Sequence, residues 1–290
     1  MTIYNLGSIN ADLVYRVPHL PGPGETLAAK GFTRGLGGKG ANMSVAAARA
    51  GARCVHIGAV GADGGWAVER LTEYGVDTRQ IAMSDEATGH AIIYVDDAAE
   101  NSIVIHPGAN AALSKASLIA ALSEAQEGDL FLTQNETTLQ AEGARLAKSK
   151  GLRVAYAAAP FDAEAVKAVL PMLDLLVLNE VEAQQLEEAT GQSVSDLPVQ
   201  EIVVTLGSKG CRWLKTEIDS TQDYPAFKVT PVDTTGAGDT FTGYLVAGLD
   251  RGMPMEQAIR LASKAGALMV TRLGAADVIP DLKDVQDAAF

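Results

Sequence analysis

The chain predicts an α/β fold on a mostly parallel central sheet with helices on both faces, and three features carry that expectation. Short apolar, strand-like runs alternate with helix-like segments along most of the chain. Turns rich in glycine and polar residues follow several of these runs, where an open α/β sheet places its ligands. With 290 residues, of which 47% are hydrophobic, the chain can bury one large core or two modest ones, and no internal repeat or low-complexity segment interrupts it.

The elements follow in order. IYNLGSI reads as the first strand, residues 41–50 as a helix, CVHIGAV as the next strand, and a further helix starts at Gly65. Later come DLFLT, a helix over 138–148, LRVAYA, a helix near 163–169, DLLVLN, a helix over 181–189, and EIVVTLG. From Ala237 the apolar residues Phe241, Leu245, Val246 and Leu249 recur at helical spacing. Two regions break the alternation: residues 13–17 with 25–34, and 89–106. Both look like antiparallel strands, with turns at PGPGE and DDAAEN. We expect a small accessory sheet, with lid strands at about 13–34 and 89–106, inside one domain spanning 1–290.

Composition narrows the partners. A net charge of -13 argues against nucleic acid or an acidic membrane surface, so any anionic ligand must be held by local features. MTIYNLGSINADL lacks a basic segment followed by a long apolar run, and no stretch approaches the ~20 apolar residues of a membrane span. The expectation is a soluble, cytoplasmic protein. Cys54 and Cys211 are isolated in apolar, strand-like surroundings and read as free buried thiols. His19, His56, His90 and His106 form no close-spaced set with other ligand types, which argues against a tightly bound transition metal.

The motifs carry the chemistry. In VDTTGAGDTFTGYL, residues 232–245, the loop leads into a helix N-terminus whose first amides lack helical partners; Gly236 and Gly238 leave them open to an anion. Asp239 beside that anion site is either a helix cap or a base acting on whatever attacks the anion. GLGGKG, residues 35–40, satisfies GxGxxG, but no strand directly precedes it and CVHIGAV ends without an acidic residue, which weighs against a dinucleotide site. The same glycines can let a ligand lie against backbone, with Lys39 and Asn42 alongside, or simply form a turn before a helix.

In GSINADL, Asn10 and Asp12 lie two residues apart where the first strand is expected to end and share a face if the backbone stays extended. An amide and a carboxylate so placed suit vicinal hydroxyls, and an Asx turn fits equally. Glu136 in LTQNE follows DLFLT, either to meet a hydroxyl or to cap a helix. Asn179 and Glu182 in LNEVEA share one helix face, suiting hydrated Mg²⁺ beside phosphate or a capping box. TLGSKG is a glycine-containing hairpin turn that can lie flat against a base. No segment matches the P-loop GxxxxGK[ST].

Taken in order, GSINAD, GGKGAN, GANAAL, NEVEA, TLGSKG and DTTGAGDTF resemble the ribokinase (PfkB) family of sugar kinases through nearly the whole chain. The resemblance implies the ribokinase-like fold, a lid that also makes a homodimer contact, and an ATP-dependent kinase acting on the 5-hydroxyl of D-ribose. It implies that Asn10, Asp12, Gly38, Lys39, Asn42 and Glu136 hold the pentose. Asp239 would take the hydroxyl proton, and the Gly236, Ala237 and Gly238 amides would neutralise charge on the transferring phosphoryl group. Asn179 and Glu182 match a pair associated with Mg²⁺ and phosphate; Thr205, Gly207, Ser208 and Gly210 match a nucleotide-side turn. Asp233, Thr235, Met269, Arg272 and Gly274 match a monovalent-cation site, usually K⁺, held mostly by carbonyls.

The chain departs from that pattern twice. Residues 191–201 are short and lack a helix, so one sheet face or edge is expected to be less covered, and Val278 stands where the family offers a small hydroxyl residue. Rival expectations are the same chemistry on a nucleoside, deoxyribose or keto sugar, and a non-catalytic sugar- or nucleotide-binding protein on this scaffold.

Overall fold

Strand β1 (Thr2–Leu6) is buried along its whole length, its polar Thr2 and Asn5 included, as a strand in the middle of a parallel sheet must be. The computed structural model describes residues 1–98 and 100–290 of the chain. After β1 the chain leaves for a second sheet through β2 (Asn10–Arg16) and β3 (Gly31–Gly37), then returns as α1 (Lys39–Arg49). Gly38 makes the return possible: it sits at φ 91°, and a Cβ there would lie 2.9 Å from the Ser8 carbonyl oxygen.

The main sheet continues with β4 (Arg53–Val60), α2 (Gly65–Glu73) and β5 (Ile81–Met83). A hairpin, β6 (Gly89–Val95) and β7 (Asn101–His106), goes back to the second sheet. The turn DDAAEN between its strands includes residue 99, outside the described residues. Then α3 (Lys115–Ala121), β8 (Leu130–Thr133), α4 (Gln140–Ser149), β9 (Arg153–Ala157) and α5 (Ala163–Val169) alternate. They are followed by β10 (Leu175–Asn179), α6 (Glu180–Thr190) and β11 (Glu201–Thr205). A hairpin of β12 (Cys211–Lys215) and β13 (Ser220–Tyr224) precedes α7 (Ala237–Asp250), α8 (Met255–Met269) and α9 (Leu282–Asp287).

Among the described residues the larger sheet runs β13-β12-β11-β10-β9-β8-β1-β4-β5, parallel throughout except for the antiparallel β11–β12–β13 edge. The smaller sheet runs β3-β2-β6-β7. Two apolar cores flank the main sheet: one packs α1, α7 and α8 on one face, the other α3 to α6 on the opposite face. Helix α7 is buried from Asp239 to Asp250, so its apolar residues are not confined to a stripe. It touches α1 through Gly243, where a Cβ would come within 2.5 Å of the Ala46 Cβ.

Three expectations change. Asn10 and Asp12 do not end the first strand; they begin β2, so the lid starts earlier than residue 13, and Gly35 to Gly37 belong to β3 rather than to a loop. The short linker over 191–201 supplies cover of its own, because Val194, Leu197 and Val199 are themselves buried in the core on that face of the sheet. Cys54 and Cys211 are free and buried, as expected. No helix among the described residues is long and apolar enough to cross a membrane.

Candidate active site

The chain order of the sheet reverses around β1, which has β4 on one side and β8 on the other, and the crevice at such a switch point is where α/β sheets bind ligands. Here the end of β1 meets the start of α1 at van der Waals limits: a Cβ on Gly40 would stand 2.3 Å from the Ser8 amide nitrogen. A buried chain of hydrogen bonds lies beneath. Gln134 donates to Asn5, Asn5 donates to the Gly40 carbonyl and the Ser44 hydroxyl, and His56 bridges Ser44 and the Gly7 carbonyl. Burial pushes His56 down to about 4, so it is neutral and acts as a strut.

Above this floor Glu136 is oriented by two donors on one carboxylate oxygen, the Ser8 hydroxyl at 2.5 Å and the Lys39 amide at 3.0 Å. Its other oxygen is left for the 270 Å³ cavity that Glu136 lines with Asn10, Asn110, Asn135 and Ile105. Asn10 and Asp12 sit two apart on β2 and share a face, as the extended backbone requires. Glycine at position 37 is required beside them: a Cβ there would lie 2.2 Å from an Asp12 carboxylate oxygen. Burial, then the nearby charges of Glu136 and Asp239, push Asp12 up to about 7.

Asp239 lies in the first turn of α7, 7% exposed, and makes no side-chain cap to its own helix. Instead it accepts a 2.8 Å hydrogen bond from the Asn42 amide group. The Asn42 side-chain oxygen is buried without a partner among the described residues, an acceptor that a ligand hydroxyl would satisfy. Burial raises the pKa of Asp239, Lys39 and Asn42 oppose that, and Glu136 adds to it. Burial works against the Lys39 ammonium, yet Asp239, Glu136 and Glu182 outweigh it and hold its pKa above the ordinary value. One lysine thus faces carboxylates drawn from three separate segments.

The loop before α7 partly differs from expectation. The Ala237 amide donates to the Thr234 carbonyl at 3.2 Å, closing a turn, so it is not free as expected. The Gly236 and Gly238 amides have no protein acceptor among the described residues. Gly236 adopts φ 72°, and no atom lies within 4 Å of where a Gly238 Cβ would stand, so the backbone is open to an approaching group.

Beyond this loop lies a 470 Å³ groove lined by Thr205, Gly207, Ser208, Gly210, Phe227 and Val270, with Ala237 and Gly238 at its end. Gly207 has open space at its missing side chain, whereas a Cβ on Gly210 would strike the Tyr224 carbonyl at 1.9 Å. Gly210 is therefore demanded by the β12–β13 hairpin whatever the groove holds. Asn179 and Glu182 form a reciprocal capping box on α6, each bond 2.8 Å. Only one Glu182 oxygen is used in it, and burial raises the pKa of that carboxyl, against the Asn179 amide and Lys39.

Asp233 accepts from the Thr235 amide at 2.9 Å and the Gly274 amide at 3.1 Å, tying two loops together. Burial would raise its pKa, but these bonds outweigh burial. The Met269 carbonyl accepts from the Arg272 amide, and the Arg272 guanidinium donates to the Val278 carbonyl and Asp284. Val278 offers only methyl groups toward Gly274, both 3.6 Å from where its Cβ would be. This donor set has a carboxylate and carbonyls for a cation but no side-chain hydroxyl at 278.

Three residues beneath the site escaped the sequence: Ser8, Gly37 and Asn110. Their signals were the GSIN serine, the first glycine of GGKG, and the asparagine of GANAAL.

A buried carboxylate at a helix N-terminus, held by Asn42 and near a glycine-lined groove, has close counterparts among known proteins. The model of the pfkB family carbohydrate kinases matches residues 2–282. The chain is 38% identical to a ribokinase of Haemophilus influenzae over 96% of its own length and 95% of that protein's. It is 30% identical to a deoxyribokinase of Salmonella typhi, covering 99% and 98% of the two chains. Among solved structures it is similar to ribokinase from Arabidopsis thaliana complexed with ribose and ATP, with 29% identity, a TM-score of 0.85 and coverage of 98% and 97%. A match of this extent, on a chain that carries the same arrangement of elements, means that the protein belongs to the pfkB family of carbohydrate kinases.

Proposed function

We propose that this chain transfers the γ-phosphoryl group of ATP to the 5-hydroxyl of D-ribose, giving ribose 5-phosphate. The observation that carries the proposal is Asp239: buried, held by Asn42, and set beside open Gly236 and Gly238 amides next to the glycine-lined groove. Ribose occupies the cavity side, with Asn10, Asp12, Gly38, Lys39, Asn42 and Glu136 around it. The nucleotide occupies the groove over Thr205, Gly207, Ser208 and Gly210, with Asn179 at the end of β10.

Asp239 accepts the proton of the 5-hydroxyl as its oxygen attacks the γ-phosphorus, and the bond to the bridging oxygen of ADP breaks. The Gly236 and Gly238 amides, at the positive end of α7, stabilise charge on the equatorial oxygens, and the Ala237 turn holds them in place. A raised Asp239 pKa serves this role, since it makes the carboxylate a better proton acceptor. No covalent intermediate is required, because phosphoryl transfer needs chiefly alignment and charge stabilisation.

Glu182 keeps one carboxylate oxygen for the waters of a Mg²⁺ ion, which when bound neutralises phosphate charge. Asp233 and the carbonyls of Thr235, Met269, Arg272 and Gly274 would hold K⁺, less tightly than a set completed by a hydroxyl at 278. We assign the chain as one kinase domain, 1–290, acting in the cytoplasm as a homodimer joined through the lid. The exposed apolar Phe32, Ile103, Val104 and Ile105 of the lid sheet support that contact.

ADP release from a panel of sugars and nucleosides tests the assignment. Turnover concentrated on ribose supports it; turnover on deoxyribose or a nucleoside instead moves the substrate within the family; retained binding without turnover means a binding protein.

A further inference from the structure

Asn110 lines the cavity beside Asn10 and also occupies the root of the lid. It lies in the one-turn helix Gly108–Ala111 that follows β7, and only 2% of its surface is exposed. Its side-chain oxygen accepts from the Ile9 amide at 2.9 Å; its nitrogen donates to the Ile9 carbonyl at 3.2 Å and to the Asn10 side-chain oxygen at 2.7 Å. A main-chain N–H can only donate and a carbonyl can only accept, so the two bonds to Ile9 fix which end of the Asn110 amide is oxygen and which is nitrogen. Its N–H therefore points at Asn10. Asn10 must answer with its oxygen and turn its own NH₂ group the other way. Gly89 packs close against this contact: a Cβ on it would lie 2.1 Å from the Asn110 nitrogen and 2.6 Å from the Asn10 oxygen.

We propose that Asn110 is a positioning and specificity-determining residue, which sets Asn10 as a hydrogen-bond donor toward the sugar. Asp12, when ionised, can only accept. The pair then selects neighbouring hydroxyls of which one accepts from Asn10 and one donates to Asp12, and an analogue lacking the first leaves a buried NH₂ unpaired. The inference rests on the sugar kinase reading of the site.

The test is a double-mutant cycle read with ribose and with its 2-deoxy and 3-deoxy analogues. Asn110→Asp keeps the acceptor for the Ile9 amide but sets an acceptor against both the Ile9 carbonyl and the Asn10 oxygen; of the two only the Asn10 amide can turn over to donate. We expect the ribose KM to rise roughly 10- to 100-fold with kcat changed by no more than about threefold. Preference over the deoxy analogue that lacks the Asn10-bound hydroxyl should fall at least about tenfold. In an Asn10→Ala background the same substitution should add almost nothing. Asn110→Ala, which removes the donor without adding charge, should move KM the same way and by less, and it serves if Asn110→Asp fails to fold.

An unchanged KM and sugar preference overturns the proposal. So does an equal loss for all sugars that persists in the Asn10→Ala background, which would make Asn110 a structural tie alone. If the wild type turns over a different sugar, the cycle is run on that sugar and its deoxy analogues, so that failure of the ribose assignment and failure of the Asn110 assignment are separate results.

Discussion

Lowering the pH should weaken ribose binding as Asp12 takes up a proton. Burial, with Glu136 and Asp239 close by, raises its pKa from 3.8 to about 7 in the empty site. Because the folded value lies above the unfolded one, its contribution to stability is fully present below pH 3.8 and is lost as pH rises through about 7. The ionised empty site is thus strained by an amount on the order of a few kcal/mol. A sugar hydroxyl donating to the carboxylate favours the ionised form, so binding releases a proton from the fraction of molecules in which Asp12 is protonated. Ribose Kd should be flat above pH 7.5 and should weaken roughly tenfold per unit below 7, approaching a hundredfold at pH 5. Isothermal titration calorimetry from pH 5 to 9, in buffers of different ionisation enthalpy, measures both Kd and proton release. Asp12→Asn should bind ribose more weakly than wild type at pH 8 and lose the pH dependence. Equal wild-type Kd at pH 5.5 and 8, or a pH dependence that survives Asp12→Asn, would refute the reasoning.

Gly37→Ala should weaken ribose binding by about 1–3 kcal/mol, since the new methyl occupies the place of the Asp12 carboxylate, while ATP affinity stays within twofold; matched losses for both substrates would point to general misfolding. Val278→Ser should lower the KCl concentration giving half-maximal kcat/KM at constant ionic strength and should increase the thermal shift produced by KCl. A wild type that saturates at lower K⁺ than the serine variant would contradict the ligand-loss argument.

The parallel sheet was legible because buried strands such as β8 and β10 open on unbroken apolar runs that leave a clear period between helices. The lid was legible as hairpins but misjudged at its edges: Asn10, Asp12 and Gly35 to Gly37 have poor strand propensity, and pairing with β6 and between themselves overrides it. Motif resemblance supplied the set of site residues, whereas the contacts that organise them join distant segments. Ser8 reaches Glu136 and Asn42 reaches Asp239 only after the sheet reverses around β1 and α7 packs on α1. The Ala237 amide could not be separated from its neighbours by sequence either, because a turn bond to Thr234 depends on the loop's closure.

The central claim is that Asp239 is the base of a ribose kinase rather than a cap on α7, and replacing its carboxylate tests that most directly. Asp239→Asn keeps the size and the contact with Asn42 but removes the proton acceptor. Single-turnover ribose 5-phosphate formation with saturating ATP should slow by about 10²–10⁴, with ribose Kd changed by less than about threefold. A rate near that of the wild type would contradict the account and leave Asp239 as a buried structural residue.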